Sequence, residues 1–232
     1  MAKRFVTKVL IEAATGDRIA MPRDIAHHAL DVMRLKEGDE LELASYDKIW
    51  SLRMRGGKLE VLSCQENMRS TPAIEVAISL FKWPRFEWFL EKAVELGVDT
   101  IQPILSERCQ IKMEAGAWES KVKRLEKIMT QAERQSLALR RCELKSPMPL
   151  RDYVHSQKAE TCFVAMPGDY PRLLDAYTGQ DAVSLISGPE GGFSAQEFSM
   201  ILECGALPIS LGKHILRAET APLAMLALLR CS

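Results

Sequence analysis

The residues best suited to chemistry are Glu190, Arg217 and Glu219. Glu190 lies in Gly188-Pro189-Glu190-Gly191-Gly192-Phe193, directly after the apolar run Val183-Ser184-Leu185-Ile186-Ser187. Arg217 and Glu219 lie in Leu211-Gly212-Lys213-His214-Ile215-Leu216-Arg217-Ala218-Glu219-Thr220-Ala221, directly after Pro208-Ile209-Ser210. A carboxylate can accept a proton, and a guanidinium can stabilise negative charge that develops during a reaction. Gly188, Gly191 and Gly192 let a ligand lie against the backbone, and Pro189 fixes one φ between them. A tight strand-to-helix turn accounts for glycine and proline alone. It accounts less well for a glutamate held among them. Glu190 either works in a site or caps amides of its own loop. Glu219 fits the first turn of the last helix, near the positive end of its dipole.

Both segments fall where a buried strand ends and a helix is about to begin. In open α/β sheets the crevice outside the carboxyl ends of the strands is where ligands bind. Ser194 and Glu197 form an S-x-x-E capping box, and Gly205 is a plausible helix stop. Upstream, residues 74–81 read as a buried strand. Residues 85–96 read as a helix with Phe86, Phe89, Leu90, Ala93 and Val94 inward, closed by Gly97, and 100–105 as a second strand. That order implies a parallel sheet with a right-handed crossover. A long helix is expected over 118–139, with Trp118, Val122, Leu125, Met129, Ala132 and Ser136 near heptad spacing. Pro147 and Pro149 precede a short helix, and a strand over 161–165 ends in the turn Met166-Pro167-Gly168. Residues 220–229 are apolar nearly all round, so this helix is expected to be buried on every side.

Residues 1–70 read as a small β module, with strands over 4–11, 40–44, 49–54 and 59–63 and turns at Asp47 and Gly56-Gly57. One helix is expected from Asp24, as N-cap, to about Leu35, with Ile25, Ala29, Val32 and Met33 inward. The polar stretch 65–72 reads as a linker to the second domain, 73–232. The formal net charge is zero, with 31 basic and 31 acidic residues, which by itself does not point to a polyanion partner. Residues 118–145 nevertheless carry a local basic excess, and phosphate contacts need only a patch. No apolar run approaches the roughly 20 residues of a membrane helix, and no secretory leader is evident. Cys64, Cys109, Cys142, Cys162, Cys204 and Cys231 form no C-x-x-C pair. They read as reduced, mostly buried thiols of a cytosolic protein, and no metal site is expected. A G-x-G-x-x-G turn and a P-loop are both missing, which makes Rossmann-type and nucleotide-triphosphate sites poor fits.

The two C-terminal motifs together resemble the RsmE family, SPOUT-class methyltransferases that modify N3 of a uridine in 16S ribosomal RNA. The resemblance continues through His28, Val32-Met33-Arg34-Leu35 with Gly38-Asp39, then Lys92-Ala93-Val94-Glu95-Leu96-Gly97-Val98, Pro103 and Ser106-Glu107-Arg108. Val94 stands where the family has threonine. In Ala132-Glu133-Arg134-Gln135-Ser136, Arg134 stands where it has glutamate, and the arginine expected two residues after the serine is missing.

The resemblance implies an α/β SPOUT domain with a trefoil knot, an N-terminal PUA-like β-barrel and a homodimer. It implies an S-adenosylmethionine pocket of Met166, Gly188, Pro189, Glu190, Gly191, Gly192, Leu211, Gly212, Ile215 and Leu216. The substrate would be 16S rRNA or the 30S subunit, contacted by Arg4, Arg34, Lys82, Arg108 and Arg140. Uridine N3 carries a proton, so catalysis needs a base or a cation beside the developing uracil anion. Arg217 is expected to stabilise that charge, with Glu190 or Glu219 accepting the proton or orienting the arginine. A non-catalytic assembly factor on the same fold is the competing class, and a tRNA-directed SPOUT enzyme a second alternative.

Overall fold

The computed structural model describes residues 3–7, 9–45, 48–66, 72–111, 113, 116–136, 138, 140–157, 159, 161–179 and 182–230. The chain divides into two compact units, Met1–Arg69 with Glu133–Arg141, and Ser70–Ala132 with Cys142–Ser232.

The first unit is built on β1 (Lys3–Val6), β2 (Arg18–Ile19), β3 (Glu40–Ser45), β4 (Lys48–Arg55) and β5 (Lys58–Glu66). They form a five-stranded sheet in the order β1-β3-β4-β5-β2, in which β1 runs parallel to β3 and the other pairs are antiparallel. Period-two alternation buries Leu41 and Leu43 of β3, Trp50 and Leu52 of β4, and Leu59 and Val61 of β5 in one core with Phe5. Gly56 and Gly57 turn the β4–β5 hairpin at φ of 60° and 72°, which favours glycine at both places. Asp47, Ser70, Thr71 and Leu139 lie outside the described residues.

The expected helix from Asp24 takes another form. An α-helical turn α1 (Arg23–His27) passes into a π-helical turn, His28–Val32. Ile25 and Ala29 are buried, whereas Val32 is 56% and Met33 39% exposed. The wider π-turn rotates these two residues off the inner face. Asp24 is not the N-cap; its Oδ1 accepts a hydrogen bond from the Thr7 hydroxyl at 2.7 Å, tying the helix to the strand end. The first strand is also shorter than expected, although Ile11 is buried.

The second unit contains β6 (Ala73–Ser79), α2 (Trp83–Glu95), β7 (Thr100–Leu105), α3 (Ala117–Gln135), β8 (Glu143–Leu144), β9 (Met148–Pro149), α4 (Leu150–Ser156) and β10 (Thr161–Ala165). It continues through α5 (Leu173–Ala176), β11 (Ala182–Ser187), α6 (Ala195–Glu203), β12 (Leu207–Ile209) and α7 (Thr220–Arg230). The last residues of α3 group with the first unit. The strands form a parallel sheet in the order β12-β10-β11-β6-β7-β8, with β9 also pairing with β7. This is a mixed α/β fold with both sheet faces covered. Ile74, Val76 and Ile78 of β6 face a core shared with α2 and α7, and Ala77 faces a second core with α4 and α6.

The five expected inward residues of α2 are all buried, and Gly97 closes the helix at φ 80°. Trp83 packs against Phe86 and Trp118, but Trp88 is 46% exposed and is no core residue. Within this one chain the last helix is partly covered. Pro222, Met225, Leu226 and Leu229 are buried, whereas Leu228 is 39% exposed. The cysteines are not mostly buried: Cys142 and Cys162 are, Cys109 is intermediate, and Cys64 and Cys204 are exposed. Cys231 lies outside the described residues. Among the described residues no helix is long and apolar enough to cross a membrane.

Candidate active site

Because β10, β11 and β12 are parallel, the loops that follow them emerge at one edge of the sheet. Ser187 ends β11, and its buried hydroxyl donates to the Ala218 carbonyl of the loop after β12 at 3.4 Å. Pro189 to Gly192 form a tight turn in which the Gly192 amide donates to the Pro189 carbonyl at 2.8 Å, with Gly192 at φ 67°. A Cβ on Gly188 would lie 3.1 Å from the Phe193 ring, so any larger residue there would need that ring to shift. The capping box forms as the sequence implies. Glu197 N–H donates to Ser194 Oγ at 3.2 Å and Ser194 N–H to Glu197 Oε2 at 2.9 Å.

Glu197 has a second task that the capping motif alone does not reveal. Its Oε1 accepts from the Glu107 amide at 2.7 Å, drawing the segment after β7 onto the glycine loop. The next residue, Arg108, donates from Nη1 to the Gly191 carbonyl at 2.8 Å. The loop bearing Glu190 is thus held from its own helix and from a neighbouring strand end.

Two adjoining cavities open at this edge. The larger, about 790 Å³, is lined by Met166, the loop 188–193, Arg85 and residues 215–218. The smaller, about 370 Å³, shares Met166, Ile215 and Leu216 with it and adds Leu211 to His214. Every residue that the motifs nominate for the cofactor lines one or both, and Glu190 and Arg217 line the larger. These volumes lie in the range of small-molecule sites.

The charges are arranged around Arg85, in the first turn of α2. Its Nε donates to Glu219 Oε1 at 3.0 Å and its Nη2 bonds the other oxygen, a bidentate fork. Its remaining terminal nitrogen, Nη1, bonds Glu190 Oε1. Glu190 therefore pairs with Arg85, and among the described residues no hydrogen bond joins its carboxylate to its own loop or to Arg217. Burial opposes ionisation of Glu219. The Arg85 hydrogen bond, its own backbone and the Arg85 and Arg217 charges outweigh burial and hold the carboxyl below its ordinary range. Arg85 is held above the ordinary guanidinium range, chiefly by its hydrogen bond to Glu219. Arg217 is exposed to the cavity, and its guanidinium has no ion-pair partner among the described residues. Glu219 directly precedes α7.

Arg85 was not evident as a site residue from the motifs. One signal was present: a cation in the first turn of a helix opposes the helix dipole and calls for acidic partners.

The RNA methyltransferase domain family matches residues 69–230. The ribosomal RNA small subunit methyltransferase E of Synechocystis is 30% identical over 215 residues, covering 87% of this chain and 69% of that protein. The chain belongs to the RsmE family. The family member of the same name from Buchnera aphidicola is 28% identical over 220 residues, covering 91% of this chain and 89% of its own length. The RsmE crystal structure from Neisseria gonorrhoeae, bound to S-adenosylmethionine, matches with a TM-score of 0.81 at 27% identity, over 100% of this chain and 98% of that one.

The residues that the RsmE resemblance nominates for RNA are distributed over both units. Lys82 is exposed at the N-cap of α2, and Arg108 sits against Gly191. Arg4, Arg34 and Arg140 belong to the first unit. Arg4 is paired with Glu42, Nε to Oε2 at 2.6 Å. Arg34 is exposed, at φ 50°, the one non-glycine described residue with positive φ. The acids nearest to it in sequence are engaged elsewhere, Asp31 with His27 and Glu37 with the Gly56 amide.

Proposed function

We propose that this protein transfers a methyl group from S-adenosylmethionine to N3 of a uridine in 16S ribosomal RNA. The observation that carries this reading is that the Glu190 carboxylate and the Arg217 guanidinium, which has no ion-pair partner among the described residues, line one glycine-rich cavity. The cavity suits the cofactor: bare glycine backbone at Gly188, Gly191 and Gly192, apolar walls at Met166, Ile215, Leu216 and Phe193, and sufficient volume. Bound there, S-adenosylmethionine supplies the electrophilic methyl group. Glu190 accepts the N3 proton, and Arg217 stabilises the charge that spreads to O2 and O4 of the uracil.

The domain 73–232 carries the methyltransferase site, and its C-terminal loops thread as a trefoil knot. The domain 1–70 acts as a PUA-like barrel on RNA through Arg4 and Arg34, while Lys82, Arg108 and Arg140 contribute further phosphate contacts. A homodimer would cover the exposed side of α7 at Leu228 and the 85%-exposed Ile215. The protein acts in the cytoplasm on rRNA or the 30S subunit.

The test is transfer of labelled methyl to 30S subunits, naked 16S rRNA and bulk tRNA, with the product nucleoside identified. N3-methyluridine in 16S rRNA is expected. Label in tRNA would replace the substrate, and no label with cofactor bound would leave an assembly factor. Arg217→Ala should lower kcat by about 10²–10³-fold with cofactor Kd within about twofold. Equal loss of both would make Arg217 structural.

A further inference from the structure

We propose that Arg85 is the positioning residue of this site and that it selects Glu190, not Glu219, as the working carboxylate. The inference rests on the proposed methyl transfer and goes beyond it by naming the residue that holds Glu190 in place and the geometry that withdraws Glu219. Glu219 is 6% exposed, and both its oxygens are engaged by the Arg85 fork. It does not line the cavity. Glu190 does, and only its Oε1 is bonded, leaving Oε2 without a hydrogen bond among the described residues. A proton acceptor needs a free oxygen within reach of the substrate, and only Glu190 offers one.

The geometry also says how the selection works. Bidentate binding of Nε and Nη2 by a buried carboxylate fixes the guanidinium plane. With that plane fixed, Nη1 has one direction in which to point, and the loop carrying Glu190 is held there. Phe81 supports the same plane, its ring centroid lying 5.5 Å from the guanidinium carbon. Glu219 thus anchors, Arg85 transmits and Glu190 acts. Lysine could match the charge but not the fork.

A double-mutant cycle on Arg85→Met and Glu190→Gln tests this, read in kcat and in S-adenosylmethionine Kd by calorimetry. Arg85→Met should lower kcat by about 10²-fold through misplacement. Because Arg85 acts through Glu190, the double variant should be no slower than Glu190→Gln alone, and the Kd effects should likewise fail to multiply. Arg85→Lys should not restore kcat and serves as the folded control if Arg85→Met is unstable. Multiplying effects in either quantity, or wild-type kcat in Arg85→Lys, would overturn the proposal. Wild-type protein that makes no N3-methyluridine would sink the methyl-transfer reading instead, while the cofactor cycle still decides for or against Arg85.

Discussion

A carboxyl group removed from water prefers its neutral form, yet Glu219 is held charged by the Arg85 fork and the nearby Arg217 charge. Its pKa is therefore lower in the folded than in the unfolded chain, where carboxyls of glutamate titrate at about 4.3. The stability it contributes is complete above that value and is lost as pH falls through the depressed one. Thermal unfolding from pH 6 to pH 3 should show a steeper acid-side fall in Tm for wild type than for Glu219→Gln. Parallel curves would mean that the ion pair adds no linkage. The sequence displayed this site only in part. Glu190 and Arg217 stand in local motifs, but Arg85 acquires its role from partners 105 and 134 residues away. No local pattern carries that information beyond a cation placed where a helix dipole disfavours it.

Elements whose ends are set by local chemistry were the legible ones. β7 and β10 occupy the expected residues, α2 buries the expected face, and α6 starts at its capping box. The π-turn at His28–Val32 is the opposite case. Its i, i+4 apolar spacing reads as α-helix, and the departure lies in the backbone, where the Met33 amide donates to the His28 carbonyl five residues back at 2.8 Å and Arg34 takes a positive φ. The capping box gives an element-scale prediction. Ser194→Ala should cost about 1 kcal/mol, the ordinary worth of a cap. Glu197→Ala should cost about 3 kcal/mol, because it strands the Ser194 and Glu107 amides together. Urea denaturation of both variants measures the difference. Equal costs would show that the Glu107 contact contributes nothing.

For the whole molecule, zero net charge conceals a basic stretch at 118–145, and the proposed homodimer would cover Leu228 of α7, which is exposed in the single chain. Sedimentation should give twice the 26.1 kDa chain mass, and Leu228→Asp should shift it toward monomer with loss of methyl transfer. A wild-type monomer at micromolar concentration would remove the dimer reading. The fold class was legible because strands and helices alternate after residue 73. The covered faces were less so, because burial in an assembly and burial in the chain leave the same apolar pattern.

The central strand pair of the sheet, β6 with β11, has a kinetic consequence. Glu75 and Ser184, opposed in its register, are 109 residues apart. A nucleus for this unit must close that loop before parallel pairing can repay the entropy, so folding belongs to the slow, non-local regime. The helices can form early. The ligand-binding edge exists only after the chain has returned to its own beginning.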